Sequence, residues 1–283
     1  MMRRSSKFGS AVAMALGVLA TCSFAHADII TWQSSVDLIA GGNNDAFIST
    51  NGTPVLAFSG GVPTTGFQTV NTVDFHNIDS AGLMAGFTGG GVTVSSDTFS
   101  NQAGPTTFGD GEFSGNVPLF NTIAGAVFDG GNPAAGDNSI TFNGLTVGQI
   151  YEIQVLVNDA RGGTNAGIRD TEWEVGFTDG VTNLIAAEAD LTNRPFNDST
   201  SGAVVGDFII GTFTANSTTK SFNIGASRGG LSVGDDVVAA NTNNGQAQIN
   251  ALQLRDLGTA VPEPSSLAIL SLMGLGMSVR RRK

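Results

Sequence analysis

The chain has 283 residues, with 39 Gly, 8 Pro and only 13% charged side chains, against about 25% charged residues and about 7% Gly in an ordinary soluble domain. A hydrophobic share of 41% supports a packed core, and the length fits one large all-β domain or two ordinary ones. One Cys, two His and 13 Lys plus Arg against 24 acidic residues exclude a disulfide framework, Cys-ligated zinc or iron–sulfur centres, multi-His metal sites and the basic footprint of a nucleic-acid binder.

The N-terminus opens Met1-Met2-Arg3-Arg4-Ser5-Ser6-Lys7, continues with an apolar run from Ala11 to Ala20, and reaches Ala25-His26-Ala27 before Asp28. A basic start, an apolar stretch of about ten residues and an A-x-A site make a secretory signal peptide, residues 1–27, cleaved after Ala27. The run is too short to remain as a spanning helix. Cleavage removes Cys22 and leaves His76 as the one histidine of the exported chain. A Ser-His-Asp triad would have to use His76, and no G-x-S-x-G elbow supports one. Between the two ends the basic residues are Arg161, Arg169, Arg194, Lys220, Arg228 and Arg255. The body is therefore strongly acidic, and its partners should be neutral or cationic, with Ca2+ the evident ion.

From residue 28 to residue 258 short alternating runs are separated by Gly, Asn and Asp, the pattern of an all-β chain. Predicted strands are Thr69–Ile78, Ser139–Phe142, Ile150–Val157, Glu172–Phe177, Asp207–Thr214, Lys220–Ile224 and Gln246–Leu254. In Ile150–Val157 the side chains of Tyr151, Ile153, Val155 and Val157 share one face, and Glu152 and Gln154 lie on the other. A helix of one or two turns is predicted over Leu184–Leu191. Strand following strand without βαβ alternation argues for a jelly-roll-like β-sandwich. No repeat of 20–50 residues points to a solenoid or propeller. The first reading is one sandwich over 28–258, and the second divides it near residue 137.

The densest polar cluster is Asn158-Asp159-Ala160-Arg161 together with Arg169-Asp170-Thr171-Glu172-Trp173-Glu174. On a strand, Asp170, Glu172 and Glu174 share a face and Trp173 takes the other. Three carboxylates on one face repel unless a cation sits among them, and Arg161 and Arg169 are within reach. The plain reading is a solvated, Arg-paired strand face. The sharper one is glycoside hydrolysis by Glu172 and Glu174, which needs one carboxyl held as an acid, whereas nearby Arg keeps both ionised. D-T-E-W-E resembles the acid-x-acid-x-acid strand of jelly-roll glucanases but departs from it in order and spacing. For sugar binding without catalysis, Trp173 is the candidate contact, with Asp159 and Arg161 beside it. The composition, rich in Phe and poor in Trp, otherwise reads as core filling. Candidate Ca2+ ligands are Asp129, Asn132 and Asp137, with Asp110, Glu112, Asp235 and Asp236 as further loop acids. No EF-hand loop is present, and the same loops read equally as Gly/Asn turns. His76, on the Asp74 face of its strand and away from Phe75, reads as structural or surface.

The C-terminus carries Val261-Pro262-Glu263-Pro264, an apolar run from Leu267 to Val279, and Arg280-Arg281-Arg282-Lys283. A basic cap stays on the cytoplasmic side, the apolar segment holds the exported chain at the inner membrane, and a rigid Pro pair presents Glu263 just outside. Residues 259–283 resemble the PEP-CTERM sorting segments of Gram-negative bacteria. That resemblance implies an exosortase-type protease as partner and an end at the cell surface or in extracellular polysaccharide. Within the body, Gly144-Leu145-Thr146-Val147-Gly148-Gln149-Ile150-Tyr151, Asn158-Asp159 and the closing Gln248-Ile249-Asn250-Ala251-Leu252-Gln253-Leu254-Arg255 resemble galactose-binding-like and carbohydrate-module jelly rolls. In those folds Gly148 makes a turn and Tyr151 packs in the core. The functional expectation is an envelope- or polysaccharide-associated, non-enzymatic sandwich. A carbohydrate-active enzyme and a purely structural matrix protein are the alternatives. Mass spectrometry of the exported protein should find Asp28 at its start and no Arg280–Lys283 end. An intact basic tail on extracellular protein would contradict the sorting reading.

Overall fold

The computed structural model describes residues 29–33, 36–39, 44–60, 66–103, 117–123, 125–128, 138–157, 173–178, 187–190, 204–228 and 248–259. In chain order the elements are β1 (Thr31–Trp32), β2 (Val36–Ile39), a 3-10 turn (Asn44–Phe47), β3 (Thr53–Gly60), β4 (Phe67–Val70), β5 (Val73–Ile78), α1 (Ser80–Ala85), β6 (Phe87–Gly89) and β7 (Val92–Ser95). These are followed by β8 (Asn101–Ala103), α2 (Val117–Ile123), β9 (Ala126–Phe128), β10 (Asn138–Asn143), β11 (Gln149–Val157), β12 (Trp173–Thr178) and β13 (Ala187–Asp190). The last four are β14 (Val204–Thr214), β15 (Thr219–Arg228), β16 (Gln248–Ile249) and β17 (Ala251–Thr259).

The fold is all-β. The larger sheet runs β1-β14-β11-β17-β3-β5-β4, with β2 also on β14. Its neighbours are antiparallel except β3 and β5, which run parallel. The second sheet runs β13-β12-β15-β10-β7-β6, and a small third sheet runs β16-β9-β8. Both larger sheets mix strands from either side of residue 137, so the Gly-rich first half is woven into the same layers as the second.

Alternation explains how the layers meet. Tyr151, Ile153, Val155 and Val157 of β11 pack with Leu252 and Leu254 of β17 and Leu56 and Phe58 of β3. Facing them are Val92, Val94, Ile140, Phe142, Phe222 and Ile224 of the second sheet. Fully burying an apolar side chain of this size contributes about 1.5–3 kcal/mol, so this interleaf is the main source of stability. Trp32 closes one side, edge-on to Phe222 at 5.5 Å and 67°. Tyr151 is buried and stacks on Phe213 at 5.6 Å, while its hydroxyl accepts from the Thr146 amide at 3.0 Å. Gly148, with φ of +87°, makes the turn that leads into β11. A second cluster lies on the opposite face of the larger sheet, where Leu119 and Ile123 of α2 and Ile48 cover Phe75, Leu156, Phe208 and Ala251.

Three predicted elements come out differently. Thr69–Ile78 is a hairpin, not one strand: Asn71 and Thr72 take φ of +46° and +66° and join β4 to β5. Two successive positive φ values suit the twist of a two-residue hairpin loop, and Asn tolerates them. The Asn71 side chain also donates to the Ile48 carbonyl at 2.7 Å. Gln246–Leu254 breaks at Asn250, a buried residue whose amide side chain donates to the carbonyls of Ile123 and Gly125 at 2.8 and 2.9 Å. There the chain passes from the third sheet to the larger one. Within the predicted helix Leu184–Leu191, residues Ala187–Asp190 form β13, paired along β12. Tertiary pairing at a sheet edge overrides the local helix preference of Ala and Glu.

The register also gives the sandwich two distinct ends. Thr259 lies opposite Gln149, Ile150 opposite Thr214, and Thr31 opposite Thr212, so both ends of the described body leave from one end. Ile29, Val147 and Leu257 are exposed there. Leu252 lies opposite Phe58, and Phe58 opposite His76. That row sits seven residues, about 24 Å, from Thr259 along β17.

At Gly60 the larger sheet comes close to the backbone of the third. A Cβ at this position would lie 2.6 Å from the Val127 nitrogen and 2.8 Å from the Ile249 oxygen, both backbone atoms. Gly60→Ala should lower stability by roughly 1–3 kcal/mol through forced backbone displacement, read as a lower urea midpoint with an unchanged slope.

Candidate functional site

At the end away from Thr31 and Thr259, aromatic side chains run from the core out to water. The register of β3, β5 and β4 sets Phe58, His76 and Phe67 side by side. Phe87 of β6, the edge strand of the second sheet, lies across them. Its ring centroid is 6.5 Å from Phe58 at 72° and 5.6 Å from His76 at 44°. Phe67 continues the row, 5.8 Å from His76 at 48°. Phe58 is fully buried, Phe87 is half-buried, His76 is exposed, and Phe67 is 52% exposed. Phe67, His76 and Phe87 together form an aromatic ledge at the sheet edge, with Phe67 half in water.

Beyond His76 the chain turns through Asn77, Ile78 and Asp79 into α1. Asp79 caps this helix, its Oδ1 accepting from the Gly82 amide at 2.6 Å. Asn77 Oδ1 accepts from the Ser59 hydroxyl at 2.6 Å, which orients the amide at the strand end. Asn77, Asp79, Gly82, Ala85, Gly86 and Phe87 line an open cleft of about 360 Å³. Met84, 50% exposed, lies on the same short helix. Among the described residues of this segment the acids are Asp74, which accepts from the Thr69 hydroxyl at 2.6 Å, and Asp79. No Lys or Arg occurs between Lys7 and Arg161, so the segment that builds ledge and cleft carries no basic side chain except His76.

A second polar arrangement lies on the outer face of the larger sheet and is structural. Glu152, Gln154, Gln253 and Arg255 are buried beneath the segment from Phe47 to Gly52. Glu152 accepts from the Ser49 hydroxyl and from Asn51 Nδ2 at 3.1 Å. Gln154 donates to the Phe47 carbonyl at 2.6 Å and accepts from the Ser49 amide at 3.0 Å. Gln253 donates to the Ser49 carbonyl at 3.1 Å. Arg255 donates to the Asn51 carbonyl and, at 3.1 Å, to the Gly52 carbonyl. Burial pulls the Arg255 guanidinium below its ordinary pKa, and the charge of Glu152, directly opposite on β11, works against that pull.

Of the residues singled out in the sequence, Trp173 and Glu174 lie on the backbone of β12, one strand in from the edge. Trp173 pairs with Arg228, and Glu174 pairs with Ser227 and Asp190. Glu172, Asp159, Arg161, Asp129, Asn132, Asp137, Ala27, Pro262, Glu263 and Pro264 lie outside the described residues. Among the described residues no three His, Cys, Asp or Glu side chains gather where they could hold a metal, and no helix is long and apolar enough to cross a membrane. Sequence reasoning missed both the ledge and the polar row. The alternation of Glu152 with Gln154 and of Gln253 with Arg255 signals the polar row. Nothing local separates Phe67 from the Phe residues that fill the core.

No family model matches the chain, and no curated protein matches it. Among solved structures, the chain is similar to the crystal structure of the plant receptor-like kinase ANX2, at 12% identity and a TM-score of 0.42. The similarity covers 73% of this chain and 48% of that one, so the chain spans about half the length of the structure it matches.

Arg255→Met retains volume but removes the donors that satisfy the carbonyls of Asn51 and Gly52. Hydrogen bonds from a charged donor contribute about 1.5–3 kcal/mol each, less where they are partly exposed to water. The variant should therefore melt at a lower temperature, and backbone amides of residues 48–52 should exchange with solvent faster than in the wild type.

Proposed function

We propose that this chain is an exported, non-enzymatic, jelly-roll-like β-sandwich that is held at the cell envelope by its C-terminal segment and associates with extracellular polysaccharide. Residues 1–27 direct export and are removed after Ala27. Residues 259–283 hold the chain at the inner membrane until an exosortase-type protease acts near Pro262-Glu263-Pro264. The sandwich is the part that remains to work outside.

The observation that supports this reading best is the polarity of the body. Both ends of the described chain leave from one end of the sandwich, where Ile29, Val147 and Leu257 are exposed. The aromatic ledge and the cleft lie at the other end, about 24 Å away along β17. A protein tethered by its tail and binding a large ligand should keep its binding surface clear of the tether. The acidic body, with its basic residues few and dispersed, favours neutral partners over anionic ones.

Cell fractionation tests the reading. The full precursor should yield protein in the surface or matrix fraction, and a chain ending at residue 258 should move to the medium. Incubation of the exported protein with a panel of glycans should release no reducing sugar. Release that is abolished in Glu172→Gln or Glu174→Gln would replace this reading with a glycoside hydrolase.

A further inference from the structure

We infer that the Phe67–His76–Phe87 ledge and the cleft beside it form a binding site for a neutral polysaccharide chain. The inference rests on the proposed association with extracellular polysaccharide and assigns it a place and a ligand class. The chemistry of the site has two parts. The exposed rings of Phe67 and His76 offer apolar area on which the C–H faces of pyranose rings can pack. The adjoining cleft supplies polar partners for sugar hydroxyls. Asp79 commits Oδ1 to the helix cap, which leaves Oδ2 to accept from a hydroxyl.

Charge selects the ligand class. Asp74 and Asp79 flank the ledge, and the chain has no Lys or Arg from residue 8 to residue 160. An anionic chain such as a polyuronate would meet the carboxylates of Asp74 and Asp79, which repel it. A neutral glycan meets no such penalty. An open cleft of about 360 Å³ that continues into an exposed ledge suits an internal stretch of polymer better than an enclosed small molecule.

Affinity electrophoresis of the exported chain tests this in gels cast with galactomannan, mixed-linkage β-glucan, (1,3)-β-glucan or alginate. Retardation is expected in at least one neutral gel and not in alginate. Phe67→Ala and His76→Ala should each weaken the retardation about ten-fold. Val147→Ser, at the opposite end, should leave it unchanged. Phe67 and His76 are exposed, so both variants should keep the wild-type melting temperature. Retardation that persists in the Phe67→Ala, His76→Ala double variant overturns this site while leaving polysaccharide association standing. Stronger retardation by alginate than by any neutral polymer overturns the ligand class. A dimer on size exclusion that Phe67→Ala dissociates overturns the site in favour of a contact between copies of the chain. Absence of retardation in every gel overturns the polysaccharide association itself.

Discussion

From Tyr151 to Val157 in β11 and from Ala251 to Arg255 in β17, every side chain is buried. A strand of an antiparallel sheet commonly leaves one face to water, yet these two central strands keep polar residues on a face that is covered. Glu152, Gln154, Gln253 and Arg255 have lost water and must be repaid in hydrogen bonds. The covering segment, Phe47 to Gly52, does this with its own backbone: the carbonyls of Phe47, Ser49, Asn51 and Gly52 all accept from side chains of the sheet. The sheet thereby fixes the path of a segment that has little regular structure of its own. The same segment carries Ile48 into the second apolar cluster and accepts the hydrogen bond that orients the β4–β5 hairpin loop.

Once the larger sheet is held on both faces, its far edge determines the candidate site. The row Phe58, His76, Phe67 crosses β3, β5 and β4, but the second sheet ends at β6, a strand of three residues. Phe87 covers Phe58 and reaches His76, and Phe67 lies past it. The ledge is a consequence of two sheets that overlap without ending together. It costs exposed apolar area, and its rings lean on one another in series: Phe67 on His76, His76 on Phe87, and Phe87 on the buried Phe58.

Gly60 and Asn250 show the same economy at the junction of the larger and third sheets. Gly60 has room for no side chain, and its amide donates to the Asn250 carbonyl at 2.7 Å. The Asn250 side chain in turn holds the carbonyl of Ile123, the last residue of α2, and that of Gly125 just beyond it. A break that looks like a defect in a long strand is the hinge by which one chain segment serves two sheets.

The amino-acid sequence by itself determined the strand class of the chain and the apolar face of β11, which follow from a period of two. The turn at Gly148 and the core position of Tyr151 are what the resemblance to carbohydrate-module jelly rolls implies. The address segments proposed for the two ends of the chain are read from the sequence alone, without reference to a fold. Tertiary structure alone decided that Asn71 and Thr72 split one apparent strand, that Ala187–Asp190 pairs as an edge strand, and that Glu152 and Arg255 are covered rather than solvated. It alone decided that Phe67 is half in water while Phe58 and Phe75, of the same chemistry, are sealed. The physical reason is that exposure is a property of what lies opposite a side chain. For Phe67 that neighbour is set by where β6 stops, and no local pattern around residue 67 encodes it.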